Sequence, residues 1–269
     1  MNSTSFLNPM PRVVAHRGDS ANYPENTLDA FLSAVSLKID VIETDVHLTK
    51  DKKLVIWHDP TLERNTNGKG TLESHTLEDL KKLDAGYTFT KDGGKTFPFR
   101  GKGVKLCTLD EAFKACPNER FNVDLKSKEP EIVDEFIKVV RENHAESRVC
   151  GASFHLKNLK KLREKAPEIL TSITTLEVIP KVLFKAFYSN KDFKSKIIFQ
   201  VPVKQGPIKV ITKRFIEKMH RKNAVIMVWT INNEEEMKKL FSLGVDTIMT
   251  DNPRLLIKVA EELGLRAKD

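Results

Sequence analysis

Cysteine is scarce in this chain, and long hydrophobic runs are missing. The 269 residues include three cysteines at unpatterned positions, a number that argues against a disulfide framework and is too small for a zinc site built from cysteines. No run approaches the roughly 18 apolar residues that a membrane span needs. The first residues also lack the cationic start and apolar core of a signal peptide. We therefore expect reduced thiols and a cytoplasmic location.

Acidic residues are almost missing from one long stretch. Between residues 181 and 222, twelve lysines and arginines are opposed only by Asp192 and Glu217. The net positive charge of this stretch alone exceeds the formal net charge of +8 of the whole chain. A solvated helical face or attraction to an anionic membrane or lipid would explain this charge. Nucleic-acid binding is not expected, since the stretch has no recognisable motif and no interleaved aromatic residues. Residues 177–188 are either a barrel helix or a basic amphipathic surface for peripheral membrane contact.

Short apolar segments alternate with helical patterns along the chain. Strands are predicted at residues 12–15, 41–48, 121–125, 149–154, 170–174, 197–203, 224–230 and 247–250. Alternation of strands and helices favours a parallel sheet. Eight such units in a chain of this length predict an α/β fold, a closed TIM (β/α)₈ barrel.

One interval, at about residues 50–108, interrupts this alternation. It is rich in glycine, lysine and threonine, and its short predicted strand at 54–57 leads directly into His58 and Asp59. The interval has too little apolar sequence to form an independent core. We therefore predict a single barrel domain over residues 1–269, with a rim insertion after the second strand that carries His58 to the barrel mouth.

The most informative motifs lie in the first fifth of the chain: His16-Arg17-Gly18, Glu43-Thr44-Asp45 and His58-Asp59. Two imidazoles can exchange protons near neutral pH, two carboxylates can hold a hard divalent cation, and an arginine can grip a phosphate. Glu43 and Asp45 are two residues apart in an apolar segment, so on a strand their carboxylates project from the same face. These residues supply the parts that metal-assisted cleavage of a phosphodiester needs.

Five strings carry a resemblance to a known family: VVAHRGDSANYPENTLDAF, VIETDVHLTKDKKLVIWHDPTLERNTNGKG, FNVDLK, VWTINN and GVDTIMTDNP. They resemble the glycerophosphodiester phosphodiesterase family, and the similarity runs from about residue 12 to residue 256. The resemblance implies a TIM barrel that hydrolyses glycerophosphodiesters to glycerol 3-phosphate and an alcohol, with one Mg²⁺ or Ca²⁺ ion. The central strings TFPFRGKGV and NVDLK are similar to the branch that includes lysophospholipase D enzymes, which act on lysophospholipids.

The resemblance also implies roles for individual residues. His16 and His58 match the two catalytic histidines, one of which would deprotonate the attacking oxygen while the other protonates the leaving alkoxide. Glu43 and Asp45 match metal ligands. Asp124 is the expected third ligand, although many relatives carry glutamate there, and an oxygen-only site of this kind favours Mg²⁺ or Ca²⁺.

Further residues are expected around the same site. Arg17 and Lys126 would bind the phosphate, and Trp229 would contact the glycerol or alcohol group. Glu25 is expected to bind substrate or to support the site. A smaller set is interpreted as auxiliary: Asn26 as a helix cap or part of the site, Asp59 as the residue that orients His58, and Asp251 as a strand-end cap.

Three alternatives remain at the level of sequence. The enzyme could act as a lysophospholipase D that yields lysophosphatidic acid, or the barrel could bind phosphate or metal without turnover. A sphingomyelinase-D-like enzyme would share the fold and the histidine pair, but the segment at 61–70 and the lack of disulfide-type cysteines favour the phosphodiesterase. The attacking oxygen is either water or the neighbouring hydroxyl of the substrate.

Overall fold

Eight parallel strands form a nearly closed barrel in the computed structural model, which describes residues 5–173 and 197–267. The described strands are β1 Val13–His16, β2 Val41–Leu48, β3 Leu54–Ile56, β4 Phe121–Leu125, β5 Val149–Ala152, β6 Leu170–Thr171, β7 Ile197–Pro202, β8 Lys204–Gln205, β9 Ile208–Lys209, β10 Ala224–Trp229 and β11 Thr247–Thr250. The barrel strands follow the order β6-β5-β4-β2-β1-β11-β10-β7. A parallel bridge between Ser172 and Ile198 joins the two ends of this order. The predicted TIM barrel is therefore confirmed.

Helices follow most of the barrel strands and cover the outside of the barrel. Those in the described part of the chain are α1 Leu28–Ser36, α2 Leu77–Lys81, α3 Leu109–Ala115, α4 Glu131–Glu142, α5 Leu156–Lys165, α6 Lys213–His220, α7 Glu234–Ser242 and α8 Pro253–Glu262. Polar caps fix several of their starts. Thr108 and Glu111 form a capping box at α3, and the Asn252 side chain accepts a hydrogen bond from the backbone of Leu255 at α8, which satisfies amides that the helix leaves unpaired.

Successive side chains along each strand point alternately into two cores, as the two-residue period of a strand requires. On β1, Val13 and Ala15 face the large core between strands and helices. Val14 points into the barrel, where a second cluster includes Val41, Cys150, Ile198 and Met249. Phe6, from the segment before β1, is buried in this inner cluster and closes the barrel at the end opposite the mouth.

The insertion forms a small extension on the barrel rim. Its strand β3 pairs antiparallel with the end of β2, and the residue that follows β3, Trp57, donates its backbone N–H to the carbonyl of Asp45 at 3.0 Å. The insertion has more apolar packing than its composition suggested, in a separate cluster whose buried members are Val55, Trp57, Leu62, Leu72, Leu80, Ala85, Val104 and Leu106. β3 contributes to both this cluster and the large core. The assignment of the whole chain to one domain stays a prediction.

The predicted strand ends differ from the observed ones by small amounts. Three predicted strands, at 41–48, 121–125 and 247–250, match their observed bounds, whereas β1 extends one residue further to His16. The observed strands β5 and β10 end at Ala152 and Trp229, earlier than the predicted strands at 149–154 and 224–230.

The predicted helical segment at 177–188 and the first part of the basic stretch lie outside the described residues. The peripheral membrane contact expected of residues 181–222 therefore stays a prediction. Within the described parts of the chain, every helix is too short or too polar to cross a bilayer.

Candidate active site

The candidate site is a cavity of about 170 Å³ at the carboxyl ends of the barrel strands. This is the end of a (β/α)₈ barrel at which catalytic residues are usually found. Most of the site residues predicted from sequence line it. Its walls are formed by His16, Arg17, Glu43, Asp45, His58, Asp124, Lys126, Ala152, Ser153, Phe154, Ser172, Ile173, Gln200, Trp229, Thr230 and Met249. Glu25 is the one predicted site residue that does not line this cavity.

A tight turn after β1 places His16 and Arg17 at the mouth. Arg17 has a φ of 56° and Gly18 a φ of 83°, both in the left-handed region that favours glycine. A Cβ atom on Gly18 would lie 2.7 Å from the carbonyl carbon of Ala30 on α1. Only glycine therefore lets the turn pack against α1 at this point.

His16 is held by a carboxylate on one ring nitrogen, and a second carboxylate lies near the other. Its Nδ1 lies 2.6 Å from Oδ1 of Asp251, and its Nε2 lies 3.9 Å from Oε2 of Glu43. Burial alone would lower the pKa of His16, but the negative charge of Glu43 and the hydrogen bond to Asp251 outweigh it and raise the pKa above its usual value. His16 is therefore the histidine that retains its proton more readily.

His58 is oriented in a similar way but has the opposite pKa shift. Its Nδ1 lies 2.6 Å from Oδ1 of Asp59, as the predicted orienting role of Asp59 requires. Its carbonyl oxygen lies 3.2 Å from Nε2 of His47, a buried side chain of β2. Desolvation and the nearby cation of Arg17 lower the pKa of His58, in spite of the opposing charge of Asp45.

Glu43 and Asp45 project from the same face of β2 into the cavity, as their spacing predicted. Both are buried, at 4% and 1% exposure. Desolvation and the neighbouring charge of Asp45 raise the pKa of Glu43. Burial would also raise the pKa of Asp45, but Lys126 and Arg17 outweigh it and lower that pKa. The charges of His16, Arg17 and Lys126 favour ionised Glu43 but do not outweigh burial and Asp45, so the pKa values of the two carboxyls shift in opposite directions.

Lys126 lies between two carboxylates. Its Nζ is 2.9 Å from Oδ1 of Asp45 and 2.7 Å from Oδ2 of Asp124. Although burial opposes the charged form, these two carboxylates raise the pKa of Lys126. The ammonium is therefore a fixed positive charge at the mouth. The ion pair between Asp124 and Lys126 joins both residues to the acidic pair on β2.

The donor set fits a hard divalent cation, although the ion would have to share it with Lys126. In the described parts of the chain, no three histidine, cysteine, aspartate or glutamate side chains already converge as a metal cluster. Two observations still favour a cation here. Oδ1 of Asp124 is buried and accepts no hydrogen bond from the described residues. Glu43 is buried, and its pKa is raised in spite of the nearby cations. Carboxylate oxygens are the ligands that Mg²⁺ and Ca²⁺ prefer.

Arg17 is braced by two acidic side chains. Its Nη1 donates to Oε1 of Glu25 at 2.9 Å, and its Nε lies 3.3 Å from Oδ2 of Asp45. Glu25 also accepts hydrogen bonds from Arg64 of the insertion, and these contacts lower its pKa against the effect of burial. The structure thus places Glu25 behind Arg17, where it supports the site, rather than at the cavity surface.

Trp229 and Phe154 form the aromatic side of the cavity. Trp229 ends β10, and its ring meets that of Phe154 edge-on, with the centroids 6.3 Å apart. Phe154 is 54% exposed, which makes it the more accessible of the two. Sequence reasoning identified Trp229 but not Phe154, which lay at the end of a predicted strand and had no motif around it.

Two sequence interpretations were wrong or incomplete. Asp251 was interpreted as a strand-end cap, but its carboxylate holds His16, because β11 and β1 are neighbours and end at the same edge. Asn26 does not cap α1; Thr27 does. The Asn26 amide instead donates to Oδ2 of Asp45 at 3.0 Å and accepts from the Thr44 hydroxyl at 2.8 Å. Asn26 is therefore part of the site.

A family model matches residues 16–255 of the chain, and its description is the glycerophosphoryl diester phosphodiesterase family. A glycerophosphodiester phosphodiesterase of Caldanaerobacter subterraneus is 35% identical over 261 residues, which cover 94% of this chain and 98% of the relative. A lysophospholipase D of Homo sapiens is more distant, at 23% identity over 270 residues, with 90% of this chain and 85% of the relative covered.

The fold is also similar to a solved structure. A phosphodiesterase of Oleispira antarctica, solved in complex with the product sn-glycerol-3-phosphate, superimposes with a TM-score of 0.77 at 24% identity. The superposition covers 96% of this chain and all of the other one. At this level of identity the likeness supports the barrel fold, in agreement with the strand order described above.

Proposed function

The chain belongs to the glycerophosphoryl diester phosphodiesterase family and is a phosphoric diester hydrolase, and we propose that it hydrolyses glycerophosphodiesters to glycerol 3-phosphate and an alcohol by a two-histidine, metal-dependent mechanism. One observation carries the proposal. His16 and His58 come from different elements and line the same cavity, and each has its Nδ1 held by a carboxylate at 2.6 Å. The Nε2 atom of each ring is left for the substrate.

The opposite pKa shifts divide the work between the two histidines. His58, whose pKa is lowered, is the general base: its Nε2 accepts the proton from the attacking hydroxyl. His16, whose pKa is raised, is the general acid: its Nε2 gives a proton to the oxygen of the leaving alcohol. A new P–O bond forms to the attacking oxygen while the P–O bond to the alcohol breaks; His58 takes up one proton and His16 releases one. Attack by water gives glycerol 3-phosphate directly, whereas attack by the neighbouring hydroxyl of the substrate gives a cyclic phosphate that a water molecule then opens.

Arg17 and Lys126 hold the phosphate between the histidines. Arg17 presents a planar guanidinium that matches two phosphate oxygens, and Lys126 adds a point charge. Both are largely buried, with side chains 15% and 17% exposed. Positive charge that is fixed before the substrate binds stabilises the negative charge that develops in the transition state, without reorganisation during the reaction.

Glu43, Asp45 and Asp124 would hold one divalent cation, Mg²⁺ or Ca²⁺. When bound, such an ion neutralises charge on the phosphoryl oxygens. The unpartnered Oδ1 of Asp124 and the desolvated carboxyl of Glu43 support this assignment. A cation on Glu43 would weaken the effect of that carboxylate on His16, whereas the hydrogen bond that Nδ1 of His16 donates to Asp251 would remain.

A small glycerophosphodiester fits the cavity better than a lysophospholipid does. The volume of about 170 Å³ is below the 300–1,000 Å³ of typical pockets for drug-sized ligands. Trp229 would contact the glycerol or alcohol group along the aromatic wall. An acyl chain would have to lie outside this cavity, beyond the exposed Phe154. The relative named a lysophospholipase D is also the more distant of the two relatives described above.

Competing substrates test the proposal. The purified protein is incubated with Mg²⁺ or Ca²⁺ and either glycerophosphocholine or lysophosphatidylcholine, and released glycerol 3-phosphate and lysophosphatidic acid are quantified. We expect kcat/KM to be higher for glycerophosphocholine. Dominant turnover of lysophosphatidylcholine would overturn the substrate assignment, and no turnover of either would overturn the enzymatic function proposed for the site.

A further inference from the structure

Arg64 grips two carboxylates at once with all three of its guanidinium nitrogens. Nη1 and Nη2 donate to Oε2 and Oε1 of Glu25 at 3.0 and 2.7 Å. On the other edge of the guanidinium, Nε donates to Oδ2 of Asp59, and Nη2 lies 3.2 Å from Oδ1 of the same carboxylate. Two paired contacts of this kind fix both distance and orientation, which a single ammonium could not do.

Each of these carboxylates holds a residue of the candidate site. Oδ1 of Asp59 accepts a hydrogen bond from Nδ1 of His58 at 2.6 Å, and Oε1 of Glu25 accepts one from Nη1 of Arg17 at 2.9 Å. The contacts therefore form one continuous chain from His58 through Asp59, Arg64 and Glu25 to Arg17. His58 belongs to the insertion and Arg17 to the turn after β1, so this chain connects two separate elements across the mouth.

The surroundings of Arg64 indicate a positioning role more than a stabilising one. Its side chain is 45% exposed, so solvent screens part of the charge of these ion pairs, while their paired geometry still fixes the orientation of both carboxylates. Its backbone is nevertheless fixed, since its carbonyl accepts a hydrogen bond from the Thr88 hydroxyl at 2.7 Å. Without the guanidinium, Glu25 and Asp59 would repel one another, and the distance between their partners Arg17 and His58 would no longer be fixed.

We propose that Arg64 is a positioning residue. By holding Asp59 and Glu25 together, it fixes the position of the proton-accepting His58 relative to the phosphate-binding Arg17. This inference rests on the proposed function, because it assigns a purpose to the relative placement of the two residues. Neither histidine nor phosphate is touched by Arg64 in this role. Its effect is on kcat, through the geometry of groups that act on the substrate.

Steady-state hydrolysis of glycerophosphocholine with saturating Mg²⁺ tests the proposal. Arg64→Ala should lower kcat by about tenfold to a hundredfold, the usual loss when a partner that orients an active-site ligand is removed. The acid limb of the kcat/KM profile should move to higher pH, because Asp59 without its cation stabilises protonated His58. Arg64→Lys, which keeps the positive charge but not the planar guanidinium that pairs with two carboxylates, should restore only part of the lost kcat.

A mutant cycle separates this role from a general structural one. In a Glu25→Gln, Asp59→Asn background, Arg64→Ala should change kcat by less than about twofold, since its two partners no longer act. Arg100→Ala is the matched control: Arg100 stacks on Tyr87 and Phe97 in the same insertion, away from the site, and its loss should leave kcat unchanged. Arg64→Met, which retains the aliphatic stem, replaces Arg64→Ala if thermal melting shows that the latter does not fold.

The inference is overturned if Arg64→Ala matches the wild-type kcat, if the acid limb does not move, if Arg64→Lys restores kcat in full, or if the loss is equally large in the double-variant background. Its failure is distinct from failure of the proposed function. If only the inference fails, the wild-type protein hydrolyses the diester and the Arg64 variants do not behave as described. If the proposed function fails, the wild-type protein itself has no hydrolytic activity.

Discussion

Oδ1 of Asp251 lies 2.6 Å from Nδ1 of His16, although the two residues are 235 positions apart in the sequence. They meet because β11 and β1 pair in parallel and end at the same edge of the barrel. Ser20 and Asn232 donate hydrogen bonds to the Asp251 carboxylate at 3.2 and 2.6 Å, so it is itself fixed. A carboxylate held in this way orients the imidazole and stabilises its protonated form.

Asp251→Asn should lower kcat by about tenfold to a hundredfold, because the amide removes the negative charge and no longer fixes the orientation of His16. Steady-state kinetics with glycerophosphocholine would measure this loss. The matched control is Asp246→Asn. Asp246 belongs to a second aspartate–histidine pair, away from the cavity, in which its Oδ2 lies 2.8 Å from Nε2 of His220. Equal losses of kcat in the two variants would contradict the specific role of Asp251.

The pH dependence of kcat/KM should be bell-shaped, with His58 on the acid limb and His16 on the alkaline limb. The Asp59 carboxylate raises the pKa of His58 against the dominant effect of burial. Asp59→Asn should therefore lower the pKa of His58 and move the acid limb to lower pH. Asp251→Asn removes a contribution that raises the pKa of His16, so it should move the alkaline limb to lower pH. A shift of the wrong limb in either variant would reverse the assignment of acid and base.

Mg²⁺ or Ca²⁺ should raise the thermal unfolding midpoint, because an ion that binds only the folded state stabilises it. At a free concentration a hundred times the Kd, the gain is about 2.7 kcal/mol. Glu43→Gln should lose most of this shift, whereas Glu119→Gln, which alters a half-buried acid just before β4, should keep it. The measurement needs no substrate. An unchanged shift in Glu43→Gln would show that the ion binds elsewhere.

Gly18→Ala should lower the free energy of unfolding by at least about 1–3 kcal/mol, which is the cost of strained backbone or of overpacking. Gly18 combines a φ of 83° with backbone of Ala30 only 2.7 Å from the new Cβ. Gly93→Ala is the control, since Gly93 has a φ of 71° but no atom within 4 Å of the new Cβ. Urea unfolding would compare them. A loss as large in Gly93→Ala would mean that strain alone, without the contact to α1, explains the effect.

Local sequence patterns were sufficient to predict the barrel and the acidic pair. A strand period of two dictates that Glu43 and Asp45 share a face, and the apolar residues on either side of the pair, Val41, Ile42 and Val46, bury that strand. Asp124, which the family resemblance indicated as the third ligand, lies in the predicted strand at 121–125 and pairs in register with Asp45. Such predictions succeed because they depend on backbone geometry and on neighbours close in sequence.

The supporting contacts could not be predicted in this way. Asp251 and Arg64 act on residues that are distant in sequence, and their partners are known only once the barrel closes and the insertion folds back. Asn26 was ambiguous for another reason: asparagine commonly caps helices, and only the position of Thr27 shows that the cap is already supplied. A motif identifies reactive groups more readily than the residues that hold them.

Release of glycerol 3-phosphate from glycerophosphocholine by the wild-type protein and by His16→Ala and His58→Ala tests the central claim most directly. With Mg²⁺ or Ca²⁺ present, we expect the wild-type protein to release glycerol 3-phosphate and each variant to be slower by on the order of a hundredfold or more, the usual contribution of a general acid or base. Wild-type rates in either variant, or no product from the wild-type protein, would contradict the two-histidine mechanism.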